Sequence, residues 1–284
     1  MTDAHCHPCD LAACFPGAET ERQRLNVVCA ASAWNLDSFV YHESLAAAHK
    51  AGFRLCFAVH PQLVAMDAGV VQASLDTLYR LVEEKRLDAI GETGFDLYNQ
   101  LFKGTEKVQD ELFVQHLELA ISKGLTLVLH IRRAMHKVFA YTKLLRRAPA
   151  LIFHAWSGTQ HEAESLLRRG INAWFSFGAS ITLNHKEAMR CCARLPAERL
   201  LIETDAPYQA LRSAAFSRYA DLLFTLQAMR SLREEAGTLP ALPLEPLIDG
   251  NFHCCFSSMR FQGNGDGEYA SSGGAIEGGD CPAV

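Results

Sequence analysis

Short apolar runs alternate with longer stretches of helical period along most of the chain. The runs fall at about 2–6, 26–31, 54–59, 88–92, 125–130, 150–154, 172–177 and 200–204. Each is short and apolar on both faces, as strands of a helix-covered parallel sheet are. Between them, 36–50, 70–85, 108–123, 134–147, 159–169, 184–194 and 217–235 carry helix-period patterns. In 108–123, Val108, Leu112, Leu119 and Ala120 make an apolar stripe, and Gly124 stands where a C-terminal cap glycine belongs. Eight β-α alternations predict an α/β fold, a single-domain (β/α)8 TIM barrel. A doubly wound open sheet competes, but no Gly-x-Gly-x-x-Gly follows an early strand, and the dinucleotide-binding version loses ground. The Pro-rich stretch 237–250 reads as a loop, followed by a short closing helix near 251–256. The barrel domain is therefore placed at 1–256. Residues 257–284 hold seven glycines and four serines with few large apolar residues, and read as a disordered tail.

Composition narrows the partners more than the fold. The chain has 284 residues, 49% hydrophobic and 21% charged, which is ordinary for a globular enzyme. A formal net charge of −5 argues against a protein that coats nucleic acid by electrostatics alone, though not against an enzyme whose bound cations engage phosphate locally. No run of 18 apolar residues exists, so no membrane span is expected. The opening residues are polar and the first apolar stretch is interrupted by Pro8, Asp10 and Pro16, so no secretory signal is read and a cytoplasmic location is expected. Ten cysteines are then expected to be reduced. Cys6-His-Pro-Cys9 matches a C-x-x-C pattern, but no second pair follows at zinc-site spacing. Nothing in the sequence points to an obligate protein partner.

The chemistry lies at the ends of the predicted strands. His5 and His7 are two apart in a strand and share a face, so both imidazoles can reach one ion. The third run leads to His60, the fourth ends in Glu92 with Asp96 beyond, the fifth ends in His130 with Arg132 beyond, the sixth ends in His154 with Trp156 beyond, and the eighth holds Glu203 near its end with Asp205 just beyond. C-terminal strand ends are where barrel active sites are built. One buried histidine at a strand end is ordinary packing; imidazoles and carboxylates at five or six ends of one barrel are costly to cluster unless a cation compensates. A mixed His/carboxylate set suits two divalent cations, Mg²⁺, Mn²⁺ or Zn²⁺. Two such ions can polarise a phosphoryl or carbonyl oxygen, generate hydroxide and stabilise the leaving oxygen, which describes hydrolysis.

The ordered motifs D-A-H-C-H, V-H-P, G-E-T-G-F-D, H-I-R, H-A-W-S-G and I-E-T-D-A-P-Y resemble the signatures of the TatD-type metal-dependent deoxyribonucleases, over about residues 1–256. The resemblance implies that His5, His7, Glu92 and Asp205 hold one ion. It makes Glu92 a bridge to a second ion held by His130 and His154. Asp205 would also orient or deprotonate the attacking water, and His60 would lie in the pocket as a further catalytic candidate. No lysine ends the central strands, so Glu92 stands where some relatives use a carbamylated lysine. Arg132, on the strand face of His130, is expected to bind a phosphate oxygen. Trp156 and Phe95 are candidates to stack on a base, with core packing as the alternative, and Asp96 either orients a ligand or caps a turn. Arg133 stands where the family commonly has an acidic residue, Gln209-Ala-Leu211-Arg212-Ser departs from the family's usual continuation, and His116 replaces a helix glutamine. The expected activity is two-metal phosphodiester hydrolysis with DNA as substrate, as an exonuclease on single-stranded ends. An amidohydrolase or small-molecule phosphoesterase on the same metals is the alternative. A non-catalytic barrel would be expected to lack a ligand, and none is missing.

Overall fold

The computed structural model describes residues 1–211 and 214–257. Eight parallel strands pair in sequence order: β1 (Thr2–Cys6), β2 (Val28–Ala33), β3 (Phe53–Phe57), β4 (Ala89–Asp96), β5 (Thr126–Arg132), β6 (Leu151–Phe153), β7 (Ala173–Phe177) and β8 (Leu200–Ile202). The ring is closed just beyond β8, where the Asp205 N–H donates to the His5 carbonyl at 2.9 Å and the His7 N–H to the Ala206 carbonyl at 2.8 Å. The fold is thus the TIM barrel expected from the alternation. The tail expected at 257–284 lies outside the described residues, apart from Ser257.

Three of the differences from the sequence reading have a clear local reason. β2 starts at Val28 because Asn26 takes a left-handed turn (φ 51°). β4 runs on to Asp96, because pairing with β5 resumes after the bulge at Thr93 and Gly94 continues it, paired with His130, instead of ending the strand. The closing helix spans Leu244–Phe256, so the expected loop at 237–250 ends early. Pro246 lies in that helix's first turn, where an N–H has no intrahelical acceptor and a proline is tolerated. The periodicity also shows no element between β1 and β2, where two short helices occur, Pro8–Cys14 and Ala18–Arg24.

Packing separates two apolar layers. The inner layer takes one or more residues from every strand (Ala4, Ala30, Cys56, Ala89, Val128, Ile152, Trp174 and Leu201), together with Phe252 of the closing helix. The outer layer, between sheet and helices, holds residues such as Cys6, Cys29, Ile90, Leu129 and Phe175. β1 and β4 each carry one extra residue: Asp3 to Cys6 opposes only Cys29 to Ala31, and Ile90 to Thr93 opposes only Leu127 to Leu129. Such bulges re-aim side chains near sites. In β1 the bulge lets Ala4 pack inside while His5 also points inward. In β4 it brings Glu92 to the interior above Ala89.

Behind β3, the helix Glu106–Lys123 presents buried His116. Its Nε2 accepts the Val59 N–H at 3.1 Å, and its Nδ1 faces the Leu112 carbonyl at 2.6 Å. This arrangement needs a neutral ring with its proton on Nδ1. Burial pushes the His116 pKa down to about 4, only partly offset by the Leu112 carbonyl. A depressed histidine destabilises the fold as pH falls, because the unfolded chain takes up the proton first, near 6.5. We expect a loss of about 2 kcal/mol from this group between pH 7 and pH 5. Urea unfolding at both pH values checks it: His116→Gln should lose correspondingly less on acidification, and equal acid sensitivity would exonerate His116.

Candidate metal centre

The inward side chains at the C-terminal ends of β1, β4 and β5, and of the segments after β3, β6 and β8, converge on the Glu92 carboxylate. Its two oxygens face different neighbours. Oε2 lies 3.2 Å from His5 Nε2 and 3.8 Å from His7 Nε2. Oε1 lies 2.6 Å from His130 Nδ1, 2.7 Å from His154 Nε2 and 3.3 Å from His60 Nε2. Asp205 completes the first lobe, its Oδ1 3.4 Å from His7 Nε2 and 3.6 Å from His5 Nε2, while the two imidazoles approach to 3.2 Å. His154 sits between the lobes, its ring 4.1 Å from that of His5 and 5.3 Å from that of His130. Every expected metal-ligand residue is therefore brought together, and His60 with them.

These separations can be tested against an ion. Ligand atoms about 2.0–2.2 Å from a tetrahedral metal stand about 3.3–3.6 Å apart. In the first lobe the measured donor separations run from 3.2 to 3.8 Å, which matches. The second lobe is tighter and is held by hydrogen bonds to Glu92 Oε1 that a cation would replace. Among the described residues, the groups able to hold an ion are His5/His7/Asp205, His5/Glu92/His154 and His60/Glu92/His130. Thiolates are absent from these groups, and the donor set fits a borderline or hard divalent ion.

Electrostatics favours the same conclusion. Burial alone would raise the Glu92 carboxyl, but the imidazoles of His154, His60 and His5 and the His130 hydrogen bond hold it well below the usual carboxylate range. Burial likewise opposes ionisation of Asp205, and His7, His5 and His154 overcome it. Two buried anions facing five imidazoles make a receptor for positive charge.

The supporting contacts orient the donors. Ser32 serves both His5 and His7, its carbonyl 3.0 Å from His7 Nδ1 and its hydroxyl 3.1 Å from His5 Nδ1, leaving both Nε2 atoms free to face Glu92. Asp96 sits 3.1 Å from His130 Nε2 through Oδ2, and its backbone is gripped by the Gln109 amide on both sides. Asp3 accepts from the Thr204 N–H at 3.0 Å and hydroxyl at 2.6 Å, tying β1 to the segment after β8. Burial pushes the Asp3 carboxyl up to about 7 despite those bonds. Gln209 donates to Asp205 Oδ2 at 2.7 Å, so a position that departs from the family pattern touches a proposed ligand. Asp205 itself is held at φ 53°, a left-handed conformation that Asp tolerates better than most side chains. Gly94 (φ 138°) pairs with His130, whose carbonyl oxygen would collide with any Cβ there, so only glycine lets β4 approach β5 this closely.

Of the expected substrate contacts, Arg132 is exposed at the mouth, 3.9 Å from Asp96 Oδ2. Phe95 and Trp156 are corrected. Phe95 is fully buried against Phe113 and Tyr141. Trp156 packs on Phe153 and Phe175, with its indole N–H donated to Cys191 Sγ at 3.3 Å. Both rings pack in the outer layer: Phe95 alternates with Asp96, which reaches His130, whereas Trp156, two residues past His154, follows Ala155 in the left-handed region (φ 44°) beyond the end of β6, and neither offers a face to a base. The exposed aromatics near the mouth are instead Trp34, Tyr98 and Tyr208, at 42%, 43% and 51% exposure. Tyr208 stands edge-on to His7 with ring centroids 5.2 Å apart, and its hydroxyl donates to Asp10. The only sequence signal for these three is an aromatic residue just past a strand end. Cys6 and Cys9 are free thiols, Cys6 donating to the Ala30 carbonyl.

Comparison with known proteins agrees with this geometry. A family model described as TatD related DNase matches residues 2–243. The chain is 28% identical over 169 residues to the 3'-5' ssDNA/RNA exonuclease TatD of Pectobacterium carotovorum, covering 58% of this chain and 64% of that protein. It is 34% identical over 151 residues to the protein of the same name from Erwinia tasmaniensis, covering 53% of this chain and 56% of that protein. Less than two thirds of either relative's length is therefore matched. An uncharacterized metal-dependent hydrolase of Mycoplasma pneumoniae is 30% identical over 225 residues, with 73% of this chain and 81% of that protein covered. A crystal structure of a TatD homologue from Escherichia coli superposes with a TM-score of 0.73 at 23% identity, over 90% of this chain and 97% of the other, and shows the shared fold.

Proposed function

The chain belongs to the TatD-related DNase family, and from that membership and the two-lobed cluster on Glu92 we propose that it is a two-metal phosphodiester hydrolase acting on single-stranded ends of DNA. The observation that carries the reading is the division of labour within one carboxylate, with Oε2 turned to His5 and His7 and Oε1 to His130, His154 and His60. We assign one ion to His5, His7, Glu92 and Asp205, and a second to Glu92, His130 and His154. When bound, Mg²⁺, Mn²⁺ or Zn²⁺ supplies charge that polarises a phosphoryl oxygen and lowers the pKa of water. Asp205 aligns the attacking water and accepts its proton. His60, partly exposed beside Glu92, contacts the phosphoryl group. Arg132 holds a phosphate oxygen of the strand, and Tyr208 and Trp34 offer ring faces to unpaired bases.

The relatives' names support nucleic acid as the substrate class, and the amidohydrolase alternative is not favoured. We also propose a cytoplasmic location, supported by the buried free thiols at Cys6, Cys29 and Cys56; no helix of the described residues is long and apolar enough to cross a membrane. The test is release of nucleotides from defined single- and double-stranded DNA and RNA. We expect divalent-dependent release from single-stranded DNA ends, stopped by chelator and restored by added metal. Turnover of small amides or lactones with inert DNA would sink the reading.

A further inference from the structure

Two guanidiniums lean on one ring at the barrel mouth. The central guanidinium carbon of Arg132 lies 3.7 Å from the centroid of Tyr98, and that of Arg133 lies 4.5 Å from it. Arg133 Nη1 also donates to the Tyr98 carbonyl at 3.2 Å. The tyrosine thus fixes two long side chains that would otherwise sample many rotamers. Among the described residues, only Asp96 comes within ion-pair range of Arg132, at 3.9 Å, and no carboxylate pairs with Arg133. Asp96 is already engaged by His130, by Gln62 at 2.7 Å and by the Tyr98 N–H. Two cations gathered on one ring with only the shared Asp96 beside them repel each other, and a further anion between them removes that cost. Arg133 is moreover held at φ 55°, a strained conformation of the kind that collects at ligand clamps.

The pair opens on a cavity of about 550 Å³, also lined by His136, Ser157 and Glu162. That volume suits a single nucleotide unit. Glu162 is the one carboxylate in the lining, and its Oε2 is taken by the Thr159 N–H and hydroxyl. Asp96 separates this cavity from the metal lobes, touching His130 on one side and Arg132 on the other.

We propose that Tyr98, Arg132 and Arg133 form a clamp for the backbone phosphate next to the scissile one, so that the site takes a polynucleotide strand in preference to an isolated phosphodiester. The arginines bind the phosphate through their planar N–H edges, and Tyr98 is a positioning residue. The inference rests on the nucleic-acid reading above, and its test separates the two. Affinity for a short fluorescent single-stranded oligonucleotide is measured by anisotropy across salt concentrations, in an Asp205→Asn background that keeps the strand intact. Hydrolysis of bis(p-nitrophenyl) phosphate, which has one phosphodiester and no neighbouring phosphate, is measured in the otherwise native enzyme.

Arg133→Ala should weaken strand binding about tenfold and reduce the slope of log affinity against log salt by about 0.7. Arg133→Glu should weaken it further. Tyr98→Leu should behave like Arg133→Ala, whereas Tyr98→Phe, which keeps the ring, should bind like the parent. Hydrolysis of the single phosphodiester should be unchanged by Arg133→Ala. Unaltered affinity and slope in both Arg133 variants, or equal loss on the single phosphodiester, overturns the clamp. A chain that cleaves neither substrate yet binds DNA in an Arg133-dependent way refutes the hydrolase reading and leaves the clamp standing.

Discussion

Replacing Asp205 with asparagine should reduce kcat on single-stranded DNA by roughly 10²- to 10⁴-fold, the range of a lost general base, with the fold intact. The side chain keeps its shape but loses the charge that faces His7 at 3.4 Å and His5 at 3.6 Å. Burial already disfavours that charge, and the surrounding imidazoles of His7, His5 and His154 hold the carboxyl below its ordinary range. The native group is therefore an anion, and an amide is not. Gln209 can still hydrogen-bond an asparagine at Oδ1, so the loop after β8 should keep its course. Steady-state rates, with circular dichroism as a fold control, decide the matter. Full activity in Asp205→Asn would remove the residue from the mechanism.

Glu92→Gln should be at least as damaging, for a different reason. Both carboxylate oxygens are engaged, one with each lobe, and a neutral amide has only one acceptor oxygen. Whichever way the amide turns, its NH₂ points at one histidine group, which loses its shared ligand. We expect metal binding to fall from two ions to at most one and activity to fall by more than about 10³-fold. Metal analysis after dialysis, paired with the rate, is the check. Two ions retained with a normal rate would contradict the bridge.

The histidines and carboxylates of this cluster were legible because their signals are local. His5 and His7 share a face by the two-residue period of a strand, and Glu92, His130, His154 and Asp205 each follow an apolar run. The bulges in β1 and β4 were not legible. An extra residue in one strand shows only against its neighbour's register, as Cys6 against Ala31 and Thr93 against Leu129 do. The same limit misplaced Phe95 and Trp156: closeness to a ligand in sequence does not say which face a ring takes, and alternation after the β4 bulge turned Phe95 outward while the left-handed Ala155 (φ 44°) broke the alternation before Trp156. Ser32, Gln109 and Gln209 act through contacts 13 to 27 residues away or across a loop, and no spacing rule reaches them. Pro246 misled in the opposite direction, because a proline that ends a helix interior is welcome in a first turn.

One carboxylate is proposed to join two cation sites at the C-terminal mouth of this barrel. The most direct test is the number of divalent ions bound per folded chain, titrated by calorimetry with Mn²⁺ and Zn²⁺ and confirmed by elemental analysis, for the native protein beside Glu92→Gln. The account predicts two ions per native chain and at most one in the variant. Saturation of the native chain at a single ion, or no retention in any divalent buffer, would contradict it.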